Sequence, residues 1–132
     1  MAEVEGVIVL DASALLALLY KETGADRVRE VLGAALISTV NLSETFARLI
    51  RDGRDTTALD RGLRSEMAIE IVDFIEADAI AAAQLLPATR ARGLSFADRA
   101  CLALARRLDL PAMTADRAWR DVECGVEIVC IR

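Results

Sequence analysis

The feature that most constrains the fold is a regular alternation of short apolar runs with longer helical segments. The first run, residues 7–10, is continuously apolar, which is typical of a strand buried on both faces of a parallel sheet. Four later runs are short and mostly apolar, two of them interrupted by a single glutamate: residues 35–38, 69–72, 111–114 and 126–131. Strands separated by helices imply right-handed crossovers. The sequence therefore predicts an α/β fold with three layers, in which helices cover both faces of a central parallel sheet of about five strands.

Helix boundaries are predicted from capping residues. Thr23 is expected to cap the second helix, and Asn41 with Glu44 has the spacing of a capping box that opens the third. Ser95 is expected to repeat this arrangement at the last helix, and Pro87 to kink or restart the long helical segment before it. The expected helices cover residues 13–21, 24–32, 41–52, 56–67, 77–92 and 96–108.

Composition and length indicate one globular domain spanning residues 1–132. Hydrophobic residues make up 55% of the chain, yet its apolar runs are far shorter than the ~18 residues of a membrane span. The N-terminus carries acids where a signal peptide has a basic segment. We expect a cytoplasmic protein without a membrane partner, in which Trp119 and the three cysteines are core residues.

Histidine is absent from the sequence. This excludes Ser-His-Asp and Cys-His nucleophilic catalysis and any zinc site with a histidine ligand. No glycine-rich loop precedes a lysine, which excludes a P-loop. If the protein is an enzyme, carboxylates and a metal ion must carry the chemistry.

Four acids occupy equivalent places in the predicted fold. Asp11 ends the first strand, Asp116 follows the fourth, and Glu44 and Asp98 lie in the first turns of helices. The carboxyl ends of parallel strands share one edge of the sheet, so these side chains are expected to meet there. Crowded carboxylates raise one another's pKa, and a divalent cation with oxygen ligands, Mg²⁺ or Mn²⁺, relieves the conflict. Taken singly, Glu44 and Asp98 are weak signals, because a lone acid in the first turn of a helix is usually a cap or a partner of the helix dipole.

The sequence motifs around these acids resemble those of a known family. They are Leu10-Asp11-Ala12-Ser13, Asn41-Leu42-Ser43-Glu44, Leu94-Ser95-Phe96-Ala97-Asp98-Arg99 and Thr114-Ala115-Asp116-Arg117. In this order and spacing they resemble the PIN-domain family, and within it the VapC toxins of bacterial toxin–antitoxin pairs. The resemblance implies a PIN-like fold and a Mg²⁺-dependent endoribonuclease, with Mn²⁺ as a substitute, that cleaves RNA by metal-activated water.

The resemblance also implies roles for single residues. Asp11, Glu44, Asp98 and Asp116 match the family's catalytic acids, with Asp11 and Asp98 expected to bind metal directly and the other two directly or through water. Ser13 and Thr114 match small hydroxyl residues that support the acids. The implied partners are RNA, a VapB-type antitoxin and a second copy of the chain, which the apolar first helix is expected to contact.

Basic residues near the acids suggest how RNA is held. Arg99 and Arg117 each follow a site acid directly, and Arg48 lies one helical turn after Glu44. These arginines are candidates for binding RNA phosphates. The alternative for Arg48 is an ion pair with Glu44 on the helix surface.

A rival interpretation from another class is a non-catalytic, Mg²⁺-binding module of the receiver kind. Such a domain also gathers acids at strand ends, but it needs an acid pair after the first strand and a lysine after the fifth. Here Asp11 has no acidic neighbour and Arg132 takes the place of the lysine. A phosphatase of the haloacid-dehalogenase type fits less well, because residues 11–13 lack a second aspartate.

Overall fold

The computed structural model describes residues 7–132. Its strands are β1 (Ile8–Leu10), β2 (Ala35–Ser38), β3 (Glu70–Val72), β4 (Ala112–Thr114) and β5 (Ile128–Cys130). Its helices are α1 (Ala12–Leu19), α2 (Ala25–Glu30), α3 (Thr39–Arg51), α4 (Leu59–Ser65), α5 (Glu76–Gln84), α6 (Leu86–Thr89) and α7 (Phe96–Leu108). Single 3₁₀ turns occupy Arg90–Arg92 and Arg117–Trp119.

The strands form one parallel sheet in the order β3-β2-β1-β4-β5. Leu10 of β1 is in register with Ile37 of β2 on one side and with Met113 of β4 on the other. The central position of β1 places the residue that follows it, Asp11, in the middle of the carboxyl edge. The predicted three-layer α/β/α fold is confirmed. Receiver domains have the strand order 2-1-3-4-5 instead, so the sheet argues against that alternative.

Two hydrophobic cores lie on opposite faces of the sheet. The alternation of side chains along β1 sends Ile8 and Leu10 into one core and Val9 into the other. The first core packs α1, α2 and α4 against the sheet, and the second packs α7 and Trp119. Trp119 is fully buried, as predicted.

Two predicted caps are wrong. The helix α3 begins at Thr39, before Asn41, because the Ser38 hydroxyl at the end of β2 already accepts the N–H of Val40 (3.2 Å). The helix α2 is preceded by Gly24, whose φ of 98° places it in the left-handed region, and Thr23 does not cap it. At Ser95 the capping box is confirmed.

The helical segment from 77 to 92 is interrupted, as Pro87 led us to expect. The structure ends α5 at Gln84 and begins α6 at Leu86, with the proline in the first turn of the new helix. Pro87 lacks an N–H, and the first turn is where a helix tolerates that loss.

Apolar surface lies on α1 and on other elements. The helix α1 buries Ala14, Leu15 and Ala17 in the first core and leaves its other leucines half-buried, so it offers part of the surface that the sequence predicted for a partner. The most exposed large apolar side chains lie on later helices: Ile50, Ile80 and Phe96.

The cysteines follow the prediction in part: Cys101 and Cys124 are buried, whereas Cys130 is half-buried, and all three are free thiols. Within residues 7–132 no helix has the length and apolar character needed to cross a membrane.

Candidate active site

The centre of the site is the Asp11 carboxylate, which is only 3% exposed. Its Oδ1 accepts the N–H of Ala14 (2.8 Å) and so caps α1, while its Oδ2 accepts the hydroxyl of Thr114 (2.7 Å). The Ser13 hydroxyl lies 2.8 and 2.9 Å from the two carboxylate oxygens. Among the described residues, all hydrogen-bond partners of the Asp11 carboxylate are uncharged. Burial raises the pKa of Asp11 to about 7, although the three hydrogen bonds oppose the shift.

Ser13 and Thr114 also fix the loop that carries Asp116. The Ser13 Oγ accepts the N–H of Ala115 (2.9 Å), and the Thr114 Oγ1 accepts the N–H of Asp116 (3.0 Å). Each hydroxyl therefore donates to Asp11 and accepts from the backbone after β4. The two residues that the sequence placed beside the acids join the ends of β1 and β4.

Asp98 lies in the first turn of α7, where its Oδ2 accepts the N–H of Ser95 (2.8 Å). Burial raises the pKa of Asp98, the hydrogen bonds from Ser95 lower it, and the charge of Asp116 raises it further. The charge of Asp98 in turn raises the pKa of both Asp11 and Glu44, after the larger effect of burial on each. Asp98 is thus the carboxylate whose charge acts on both Asp11 and Glu44.

Glu44 and Asp116 form the outer part of the site. Glu44 lies at the surface of α3, and Asp116 is exposed, with its Oδ1 accepting the N–H of Ala118 (2.9 Å) to cap the 3₁₀ turn Arg117–Trp119. The structure therefore brings all four predicted acids to the same edge of the sheet. Asp98 and Asp116 each use one carboxylate oxygen in a cap and leave the other for a ligand.

The donor set suits a hard divalent cation. Every acid offers oxygen, and the buried Asp11 carboxyl has no cationic partner among residues 7–132. Over the same residues, no three carboxylates are drawn together closely enough to enclose an ion. Burial raises the pKa of Asp11, Glu44 and Asp98, and the charge of a neighbouring acid adds a smaller increase to each. An ion would have to draw in the free oxygens of Asp98 and Asp116.

The three candidate RNA-binding arginines differ in how they are held. Arg99 donates to the carbonyl of Ala82 in α5 (2.9 Å), so its guanidinium joins two helices and is the least available of the three. Arg117 is exposed and donates to the carbonyl of Arg132 (3.2 Å). Arg48 pairs with Asp52 (2.9 Å) on its own helix. The expected alternative pair between Arg48 and Glu44 is wrong, since the arginine points along α3 toward its C-terminal end.

Asn41 is a site residue that the sequence analysis took for a cap. It is fully buried, and its Nδ2 donates to the carbonyl of Ala97 (2.9 Å), next to Asp98 in α7. A hydrogen bond from Asn41 also lowers the pKa of Glu44, one turn along α3. Asn41 therefore fixes the helix that carries Glu44 against the helix that carries Asp98. Its position three residues before an acid was the available signal, but the same spacing also describes a capping box.

The fold and the site together define a class: a three-layer α/β/α protein whose site consists of carboxylates at the carboxyl edge of a parallel sheet. Residues 8–123 match the PIN domain family. The chain belongs to that family, and the resemblance seen in the sequence is confirmed.

Solved structures share the fold at low sequence identity. A toxin–antitoxin complex from Klebsiella pneumoniae has a TM-score of 0.69 and 16% identity, covering 95% of this chain and 98% of that chain. DNA-bound VapBC from Salmonella typhimurium has a TM-score of 0.65 and 19% identity over 96% and 99% of the two chains. VapC20 from Mycobacterium tuberculosis, a sarcin-ricin loop cleaving toxin, has a TM-score of 0.66 and 20% identity over 82% and 87%. No curated protein sequence is significantly similar to this chain.

Proposed function

We propose that the protein is a Mg²⁺- or Mn²⁺-dependent endoribonuclease, the toxin of a type II toxin–antitoxin pair. The observation that carries the proposal is a buried carboxylate, Asp11, with a pKa near neutrality and three further acids around it. Membership of the PIN domain family supports a nuclease. The likeness of the fold to VapBC toxins, one of which cleaves the sarcin-ricin loop, supports RNA as the substrate.

The roles of the acids follow from their surroundings. Asp11 and Asp98 are proposed to hold the metal directly, and Glu44 and Asp116 to complete the site directly or through water. Ser13 and Thr114 keep the Asp11 carboxylate in one orientation by donating to it. When bound, the metal lowers the pKa of water and stabilises negative charge on the scissile phosphate. Binding of the cation also favours the ionised form of Asp11, whose pKa burial has raised.

The arginines are proposed to offset the repulsion between the acidic edge and RNA. Arg48 and Arg117 are the better placed, because their guanidinium groups reach solvent near the site. Arg99 must give up its contact with the Ala82 carbonyl to reach a phosphate. Contacts of this kind hold the nucleic acid without reading its sequence.

The proposed protein partners are a VapB-type antitoxin and a second copy of the chain, in the cytoplasm. The support is the likeness to toxin–antitoxin complexes and the exposed apolar side chains of α3, α5 and α7: Ile50 (62%), Ile80 (53%) and Phe96 (50%). Light scattering of the isolated protein at tens of micromolar tests the homodimer, and a monomer there contradicts it.

The deciding experiment compares the wild type with Asp98→Asn on structured single-stranded RNA. The substitution keeps the size of the side chain and one oxygen but removes a ligand charge. We expect cleavage to require Mg²⁺ or Mn²⁺, to stop with EDTA, to survive blocking of the thiols, and to fall about 10³-fold in the variant.

Asp109→Asn is the matched control, since it lies at the other end of α7. Its φ of 57° suits asparagine as well as aspartate, so activity should be unchanged. Cleavage that persists in EDTA, or that is equal in Asp98→Asn and wild type, overturns the proposal.

A further inference from the structure

A polar cavity of about 210 Å³ opens beside the acid site. Its lining residues are Ser13, Leu16, Tyr20, Glu22, Arg48 and Arg132. Ser13 belongs to both places, because its hydroxyl lies 2.8 and 2.9 Å from the Asp11 oxygens. A group bound in the cavity is therefore separated from the acids by one serine side chain.

The two arginines of the cavity come from distant parts of the chain and are weakly engaged. Arg132 follows β5, and its Nη1 lies 3.2 Å from the Glu22 carboxylate and 3.2 Å from the carbonyl of Thr23. Arg48 reaches the cavity from α3, and within residues 7–132 its side chain donates only through Nε, to Asp52. Partly exposed ion pairs of this kind contribute little free energy. Both guanidinium groups can thus exchange their present partners for a phosphate.

Arginine side chains that pack on the Tyr20 ring place further positive charge beside the cavity. The Arg54 guanidinium lies 4.3 Å from the centre of the Tyr20 ring, and that of Arg48 lies 5.5 Å from it. The Tyr20 hydroxyl donates to Asp52, and together with Arg48 it lowers the pKa of that acid. Asp52 is therefore an anion already satisfied by two donors. Three arginines (Arg48, Arg54 and Arg132) then stand against two acids (Asp52 and Glu22), which leaves an excess of one positive charge around the cavity.

We propose that this cavity binds a backbone phosphate of the RNA substrate, on the nucleotide next to the scissile bond. The proposal rests on the proposed ribonuclease activity and adds Arg132 to the arginines that hold RNA, while Tyr20 forms part of the cavity wall. A guanidinium offers paired N–H donors that match two phosphate oxygens. A phosphate here and a scissile phosphate at Asp11 lie on either side of Ser13, as neighbouring phosphates of one strand would. The cavity would hold the strand in register with the acids.

The first test uses inorganic phosphate as the probe and the full chain. The Nε–Hε NMR signals of Arg48 and Arg132 should shift saturably with phosphate, whereas that of Arg106 should not. Arg106 lies in the last turn of α7, at the opposite edge of the sheet. In Arg132→Gln the phosphate affinity measured on Arg48 should fall about tenfold.

Glu22→Gln should change the phosphate affinity in the opposite direction. Removing the carboxylate that pairs with Arg132 should tighten the binding of phosphate about threefold without altering the shape of the cavity. A purely structural role for these residues predicts no such gain. Arg106→Gln is the matched control for loss of one positive charge and should leave phosphate affinity unchanged.

The second test is the cleavage of structured single-stranded RNA with Mg²⁺. Arg132→Gln should raise KM about tenfold at unchanged kcat. The slope of log KM against log salt should decrease by the amount expected for the loss of about one phosphate contact. Absence of the phosphate shift overturns the proposal. A shift with unchanged KM also overturns it and points to an acidic partner protein as the occupant. If the wild type binds phosphate but cleaves no RNA, the proposed ribonuclease activity is wrong, and RNA is excluded as the occupant together with it. Failure of the activity is therefore distinguishable from failure of the cavity to bind phosphate.

Discussion

The buried Asp11 carboxylate makes the stability of the metal-free protein depend on pH. Its pKa is 3.8 in an ordinary aspartate and about 7 in the fold. Between these values the folded protein holds a proton that the unfolded chain has released. The free energy of unfolding therefore falls as the pH rises through this window, by about 1.4 kcal/mol per pH unit. The total loss approaches 4 kcal/mol above pH 7, where Asp11 is ionised in both states.

Asp11→Asn removes this penalty and keeps most of the local structure. Asparagine caps a helix as well as aspartate does, so α1 retains its N-terminal hydrogen bond. The amide has one acceptor oxygen where the carboxylate has two, so the hydroxyl of Ser13 or Thr114 loses an acceptor, at a cost of about 1–2 kcal/mol. We expect the variant to be about as stable as the wild type near pH 5 and about 3 kcal/mol more stable near pH 8.

Chemical denaturation in EDTA across this pH range measures the difference. Millimolar Mg²⁺ should restore the stability of the wild type near pH 8 and leave the variant unchanged, because a ligand of the folded state stabilises it by mass action. Curves for the two proteins that run parallel from pH 5 to pH 8 would refute the reasoning, as would a variant less stable than the wild type near pH 8.

Two further predictions concern the scaffold. Asp78 is 1% exposed; it accepts the N–H of Ile75 and holds Arg107 through two hydrogen bonds (2.7 and 3.1 Å). Asp78→Ala should therefore lower the free energy of unfolding, measured by chemical denaturation, by about 3 kcal/mol. Gly24→Ala should lower the free energy of unfolding by about 2 kcal/mol or more, because the backbone φ is 98° and the added Cβ would lie 2.7 Å from the Ile131 side chain and 2.8 Å from its carbonyl. A thermal melt unchanged from that of the wild type would contradict this.

The sheet was predictable from the sequence because each strand is a short apolar run between helical segments, and β2 agrees residue by residue. Helix beginnings were less predictable, since several polar residues near a boundary compete to be the cap. At β2 the strand runs directly into α3, so Ser38 acts as the cap before Asn41 is reached. The freed Asn41 side chain then bonds to Ala97, a contact between residues far apart in sequence that no local pattern contains.

The acids could be chosen as candidates because a parallel sheet brings strand ends together whatever lies between them, and Asp11 follows the central strand. The cavity beside them was not predicted. Arg132 meets Glu22 only because β5 ends beside the turn after α1, and pairs from such distant segments follow from three-dimensional packing. The sequence thus indicated the residues that topology alone determines, and missed those that packing brings together.

The same burial accounts for both the weakness of the fold and the chemistry of the site. An acid exposed at the sheet edge would keep an ordinary pKa, stay ionised and bind a cation with little change in protonation. Asp11 is instead surrounded by core and held by two hydroxyls and one amide, none of which carries charge. Burial therefore moves its ionisation toward neutral pH, and the charge of Asp98 moves it slightly further. Ionisation of Asp11 above pH 7 costs the metal-free fold stability, and a divalent cation bound at the proposed site would recover it by mass action.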